Sequence, residues 1–314
     1  MAVIVGTEMT RKLIDMPQAL KVVEDFFRAR AEDRAQGLPR RRLRGTGRQL
    51  NIMAAFHAGW QQFCLRAYMG GANTITLYNG RTGVLQAILN ASYLSSLRTG
   101  AASGVAAKHL APQPSNTLGI IGTGKQAVFQ LQALARALHP RQTLIYGRNP
   151  RRRQRFALAM SKQFGIDLRP CSSLAEIEAE SDVLALATDS STPILAWNDT
   201  LKDEVLVITI GANQPIKHEV SPDLVAHMDL VVTDTVDAAR TDSGDLIDAC
   251  GAGLLRWEDV LPLEQIVTRG AGAKRPKRIL FQSNGIADED LAVGHYVLEQ
   301  LRRKKVKVRQ VSEI

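Results

Sequence analysis

Short, unbroken apolar runs alternate with helix-spaced apolar positions over the second half of the chain. Leu118 to Ile121, Thr143 to Tyr146, Asp182 to Ala187, Val205 to Ile210, Leu230 to Thr233 and Ile279 to Ser283 read as strands buried on both faces. Ile166 to Arg169 is a further strand-like segment. Val128, Leu131, Leu134, Ala135 and Leu138 recur at helical spacing. Ser173 and Glu176 form a capping-box pattern ahead of a short helix. Strand and helix in alternation predict an α/β fold with a Rossmann-type doubly wound sheet over residues 112–284.

The first part of the chain is patterned differently. Leu20, Val23, Phe26 and Phe27 predict a helix from Pro17 to Ala35. Pro39-Arg40-Arg41-Arg42, after Gly37, reads as a loop. Thr74 to Tyr78 and Val84 to Leu89 suit a hairpin across a two-residue Asn79-Gly80 turn. The small-residue run from Ala91 to Leu110 reads as a closely packed helix despite Gly100 and Gly104. Arg98 in its middle is either a surface residue or an anion-binding one. Ala111 to Asn116 is a linker by composition, and a last helix from Asp288 to Arg303 is placed to rejoin the first region.

Chemistry enters at the turn after Leu118–Ile121. Gly122, Thr123, Gly124, Lys125, Gln126 and Ala127 spell G-x-G-x-x-A. In a dinucleotide site the first glycine permits the bend and the second admits the pyrophosphate. The small third residue lets helix and strand close up. A ligand-free tight turn would use the same glycines, but a strand before and a helix after are what the motif requires. The next strand ends in Gly147-Arg148-Asn149-Pro150, with no acid for a ribose 2′-hydroxyl. Arg148, with Arg152 among the arginines that follow, suits a 2′-phosphate instead. Asn149 and Pro150 look like the N-cap and first position of a helix aimed at it. NADP(H) is therefore expected over NAD(H). Loops leaving the later strands carry Thr188, Asn213 and Ser283, where ligands bind in such sheets.

Composition narrows the partners. The net charge of +9 sits in separate clusters, Arg40–Arg44, Arg151–Arg155, Lys274–Arg278 and Arg302–Arg309. Aromatics are 5% and do not interleave with them, so nucleic-acid binding is not expected. The C-terminal LRRKKVKVRQ reads as a solvated tail or helix end. No apolar run reaches the ~18 residues of a membrane span. The N-terminus lacks a signal-peptide pattern. Cys64, Cys171 and Cys250 form no C-x-x-C, so reduced thiols and a cytoplasmic location are expected. The scattered histidines offer no metal-ligand spacing.

LRTGAASGVAAKHLAP joined to LGIIGTGKQA resembles the ornithine cyclodeaminase/mu-crystallin family, as do ATDSSTPIL, IGANQP with Glu219, SGDL at Ser243–Leu246, and FQSNGIADEDLA. The resemblance covers nearly the whole chain and is loosest over residues 41–73. It implies a smaller α+β substrate-binding and dimerisation domain built from both chain ends, residues 1–111 and 285–314, and a homodimer. It maps the substrate-carboxylate grip onto Arg40 and Arg98, and places Thr99 of the LRT motif in the cofactor set. Where the family has a third gripping group, a Lys, CLRAYMGGAN offers Arg66, or else a surface arginine. Where ornithine cyclodeaminases have an Asp, this chain has Asn213, which can orient a substrate but cannot act as a base. These departures point toward hydride transfer between NADPH and a small imino or amino acid, with the imine carbon facing the nicotinamide. Ornithine cyclisation to proline and ammonia, and a non-catalytic NADPH-binding protein, are the alternatives.

Overall fold

A computed structural model of the chain describes residues 2–272 and 275–311. Lys274 of the third basic cluster and residues 312–314 lie outside them. The chain divides into two compact units, Met1–Arg98 with Ile286–Ile314, and Thr99–Gly285. The division falls inside a helix, upstream of the 111–116 stretch.

The first unit opens with β1 (Ala2–Val5), α1 (Thr7–Leu13) and α2 (Met16–Ala31). Asp15 and Gln18 close a reciprocal capping box on α2, with Pro17 in its first turn, so this helix starts where its own sequence directs. Its buried stripe includes Ala19, Val23, Phe26 and Phe27. An antiparallel run follows: β2 (Ala35–Arg44), β3 (Gln49–His57), β4 (Gln62–Met69), β5 (Ala72–Asn79) and β6 (Leu85–Asn90). The expected loop at Pro39–Arg42 is strand instead. Between the pairs Leu38–Ala54 and Arg41–Ile52, Pro39 and Arg40 together oppose Met53 in a bulge. β2 is also the edge strand, so the missing N–H of Pro39 costs the ladder little. The β5–β6 turn is longer than the expected two residues. Asn79 N donates to Val84 O at 2.8 Å, its side chain accepts from the N–H groups of Arg81 and Thr82, and Gly83 makes the bend at φ +73°. α3 (Ala91–Leu110) then leads from one unit to the other.

The second unit runs β7 (Thr117–Ile121), α4 (Lys125–Leu138), β8 (Gln142–Tyr146), α5 (Pro150–Phe164) and β9 (Leu168–Pro170). It continues through α6 (Leu174–Glu180), β10 (Val183–Leu186), β11 (Val205–Thr209), α7 (Pro222–Ala226) and β12 (Leu230–Thr233). It ends with α8 (Val236–Asp242), α9 (Gly244–Gly251), β13 (Val260–Pro262), α10 (Leu263–Arg269) and β14 (Arg278–Gln282). The eight strands are parallel in the order β13-β12-β14-β11-β10-β7-β8-β9. Every residue of β7, β10 and β11 is buried, as double-sided cover requires. From β7 the chain steps outward to β8 and β9, then returns to β10 on the other side. The strand order therefore reverses between β7 and β10, where such sheets open a crevice. Only half of the expected capping box forms at α6: Ser173 accepts from Glu176 N, but the Glu176 carboxylate turns to Ser172 and Arg169.

The chain re-enters the first unit with α11 (Ala287–Lys304) and β15 (Arg309–Val311). β15 pairs antiparallel with β1, so this part of the expected solvated tail is a strand. The mixed sheet reads β15-β1-β6-β5-β4-β3-β2, and α11 packs on β3, β4 and β5. A Cβ on Gly294 would stand 3.4–3.5 Å from Ile75, Leu89 and Leu77, which is how close α11 comes to the sheet.

Candidate functional site

In the parallel-sheet unit the glycine turn is built against the end of β10. Gly122 has φ +122°, and a Cβ there would lie 2.4 Å from Ala187 O. Only glycine satisfies both constraints. Gly124 is different: a Cβ on it would meet no protein atom within 4 Å, and it caps α4 with no side-chain hydrogen bond. Open space thus lies beside the N-terminus of α4, where an anion site would be. Gln126 Oε1 is buried there without a hydrogen bond among the described residues, while Ala127 is fully buried against the sheet. A pyrophosphate fits this cradle.

The end of β8 lies beside the turn. A Cβ on Gly147 would stand 2.9 Å from the Thr123 methyl. Asn149 caps α5 by accepting from Arg152 N at 2.9 Å, as its place before Pro150 predicts. Arg152 reaches back to Thr123 O at 3.2 Å. Arg153 is instead structural, buried over the Tyr146 ring and donating to Gly147 O at 3.0 Å. Arg148 is exposed and has no hydrogen-bond or ion-pair partner among the described residues.

The remaining loops at this end of the sheet are tied by buried carboxylates that motif reading did not assign. Glu219 Oε1 accepts from Thr188 N and Thr188 Oγ1, both at 2.7 Å, and Oε2 accepts from Ile210 N (2.9 Å) and Gly211 N (2.6 Å). Burial pushes the Glu219 carboxyl up, and these four donors pull against that rise. Glu219 N in turn donates to Asp245 Oδ1 at 2.9 Å, and Val220 N to the same oxygen at 3.3 Å. Burial, with the neighbouring Glu219, pushes Asp245 up to about 8. Asp234 accepts from Asn284 N, Gly285 N and the Ser283 hydroxyl, fixing the loop after β14. Asn213 Nδ2 donates to Ile210 O at 3.2 Å, a bond an Asp carboxylate could not make. Thr99, on α3, accepts at its carbonyl from Gln130 of α4 at 3.4 Å.

In the mixed-sheet unit the structure gathers arginines. Arg66 on β4 is 2% exposed and directly opposes Met53, which Arg40 flanks from the β2 bulge. Directly opposed strand residues share a face, so Arg40, Met53 and Arg66 lie on the side that α11 covers. The surface-residue alternatives for Arg66 and Arg98 are thereby removed. Arg98 donates from Nη1 to Glu289 at 2.8 Å and from Nε to Asp290 at 3.2 Å. The other oxygen of Asp290 lies 3.3 Å from Arg66 Nε. Arg30 pairs with Asp288. Burial pulls the Arg66 guanidinium below its ordinary range, Asp290 opposes that, and Arg98 adds to it. These three acids form the first turn of α11, where the helix dipole favours them. Asp288, Glu289 and Asp290 thus hold Arg30, Arg66 and Arg98, with Arg40 buried on the same side of the sheet. The signal for the acids was present in NGIADEDLA, but only the packing of α11 shows what they hold.

Among the described residues no cluster of His, Cys, Asp or Glu could hold a metal ion, and no helix is long and apolar enough to cross a membrane.

The chain is 32% identical over 229 residues to a Delta(1)-pyrroline-2-carboxylate reductase of Bacillus cereus, covering 72% of this chain and 70% of that protein. It is 30% identical over 316 residues to an alanine dehydrogenase of Archaeoglobus fulgidus, covering 96% of each. The Thermococcus litoralis Delta(1)-pyrroline-2-carboxylate reductase, solved in complex with NADH and L-proline, matches with a TM-score of 0.91 at 25% identity over 98% of this chain and 100% of that one. Residues 2–305 match the Ornithine cyclodeaminase/mu-crystallin family. The chain belongs to the ornithine cyclodeaminase/mu-crystallin family.

Proposed function

We propose that this protein reduces a small imino acid with NADPH, or runs the reverse oxidation of the amino acid. It is an NAD(P)-dependent imine/amino acid oxidoreductase, like its pyrroline-carboxylate reductase and alanine dehydrogenase relatives. When bound, the nicotinamide supplies the hydride for the imine carbon. The chain supplies the rest. Gly122, Gly124 and the first turn of α4 take the pyrophosphate, and Thr123, Lys125, Gln126, Thr99, Thr188 and Ser283 contribute to the rest of the cofactor site. Arg40, Arg66 and Arg98 hold the substrate carboxylate, and paired guanidiniums fix its direction as well as its charge.

Arg148 carries the NADP preference. It is exposed, it follows β8 directly, and no acid stands there to claim a 2′-hydroxyl. A charge-assisted hydrogen bond contributes ~1.5–3 kcal/mol, so Arg148→Asp should weaken NADPH about ten- to a hundred-fold and leave NADH little changed. An unaltered NADPH/NADH ratio would refute the preference. For the reaction, Delta(1)-pyrroline-2-carboxylate, iminosuccinate and pyruvate with ammonia should be offered with each cofactor in parallel. Loss of reduced-nicotinamide absorbance with one of them is expected. Proline and ammonia formed from ornithine would favour the cyclodeaminase instead, and tight NADPH binding without any turnover the non-catalytic role. The bond from Asn213 to Ile210 O weighs against the cyclodeaminase.

We also infer a homodimer formed through the sheet face opposite α11. Leu38, Leu43 and Phe63 are exposed on that face, and Phe56 lies against Phe63 with ring centroids 4.4 Å apart. A solved archaeal alanine dehydrogenase that matches this chain with a TM-score of 0.90 at 27% identity is a dimer. Leu38→Lys with Phe63→Lys should yield a monomer in sedimentation. The free cysteines suit a reducing, cytoplasmic setting.

A further inference from the structure

The buried carboxylate of Glu219 stands out because it touches no open space and yet holds two ligand-facing loops. One oxygen takes both donors of Thr188, just past β10. The other takes two consecutive backbone N–H groups, Ile210 and Gly211, just past β11. The fit is tight on every side. A Cβ on Gly211 would fall 2.3 Å from Thr188 O and 2.7 Å from the Glu219 carboxyl. Glu219 is itself anchored: its carbonyl accepts from Ile194 N (2.9 Å) and Leu195 N (3.0 Å), and its N–H donates to Asp245 on the first turn of α9. The β10 end that it holds is the one against which Gly122 closes, since Ala187 O would contact a Gly122 Cβ.

We propose that Glu219 is a positioning residue for hydride transfer, with Asp245 as its anchor: together they set the Thr188 and Gly211–Asn213 loops at the crevice between β7 and β10. The inference rests on that crevice taking the nicotinamide cofactor. A carboxylate is the only side chain of this length that offers acceptors on both oxygens. Glutamine keeps the shape but turns an N–H₂ toward two donors, losing two bonds and setting like groups face to face.

The test uses the intact protein and NADPH. Wild-type binding is measured first by quenching or energy transfer to the bound nicotinamide; no binding there sinks the cofactor reading itself, not the role of Glu219. Glu219→Gln is expected to keep the wild-type circular dichroism while raising the NADPH dissociation constant and slowing single-turnover hydride transfer to whichever of Delta(1)-pyrroline-2-carboxylate, iminosuccinate or pyruvate with ammonia the wild type reduces, each about tenfold or more. Single-turnover transfer at saturating NADPH separates positioning from mere loss of affinity. Should Glu219→Gln fail to fold, the Asp245 pair decides. Asp245→Asn keeps the acceptor that faces Glu219 N and should stay within about threefold of wild type, whereas Asp245→Ala should slow transfer about tenfold. A folded Glu219→Gln with wild-type binding and transfer overturns the proposal, as does equal behaviour of Asp245→Asn and Asp245→Ala.

Discussion

In the parallel-sheet unit the buried acids Glu219, Asp234 and Asp245 hold backbone N–H groups, whereas in the mixed-sheet unit Asp288, Glu289 and Asp290 hold arginine side chains. The first arrangement fixes the path of loops. The second fixes the direction of charges. A loop held by a carboxylate keeps its N–H groups turned inward, which suits a cofactor cradle made by a separate helix end. A guanidinium held on one edge keeps its other edge defined, which suits capture of a planar carboxylate. The same residue types thus serve shape in one unit and electrostatics in the other.

The largest effect should come from removing the acid shared by two arginines. Asp290→Ala leaves Arg66 and Arg98 buried without their common partner, at a cost of about 3–5 kcal/mol. Denaturant unfolding measures it; a loss under about 1 kcal/mol would mean the bridge is not what holds the arginines. Next, Arg98→Lys keeps the charge but cannot span Glu289 and Asp290 together. The kcat/KM for the imino acid should fall about a hundredfold with NADPH affinity unchanged. A matching loss of cofactor affinity would erase the distinction between the units.

The glycine turn offers a sharper contrast within one unit. Gly124→Ala has room for its methyl, so thermal stability should stay at wild type while NADPH affinity drops about tenfold. Gly122→Ala should instead lose stability, because its backbone is left-handed and its methyl would strike Ala187 O. If both variants behave alike in a binding and melting series, the open space above Gly124 is not the ligand's.

The last contrast concerns acid. His295 stacks on Trp60 at 3.9 Å, which stacks in turn on His57 at 3.9 Å, and burial holds His295 down to about 4. The folded protein thus binds fewer protons than the unfolded chain between about pH 6.5 and 4. This contribution is present above pH 6.5 and is lost as pH falls toward 4. Unfolding free energy followed against pH should slope upward there, and His295→Gln should flatten the slope.

Unit by unit, legibility in the sequence differed for a physical reason. Strands such as β7, β10 and β11 are buried on both faces, so their apolar runs stand out, and glycine marks the ends of β7 and β11. The glycine turn, the arginine after β8 and the Asn149 cap are likewise local, each set by residues within a few positions. β3 and β4 were not legible, since a sheet covered on one face by α11 alternates apolar with polar and carries Gln62 and Arg66 on its buried side. Pro39 argued for a loop because nothing local revealed an edge strand with a bulge. The sequence alone therefore determined the Rossmann-type unit, the glycine turn and the family. Only the tertiary structure decided that Arg66 and Arg98 are buried on one shared carboxylate, and that Glu219 ties two loops. Those contacts join residues far apart in the chain, and a side chain's burial depends on what folds over it.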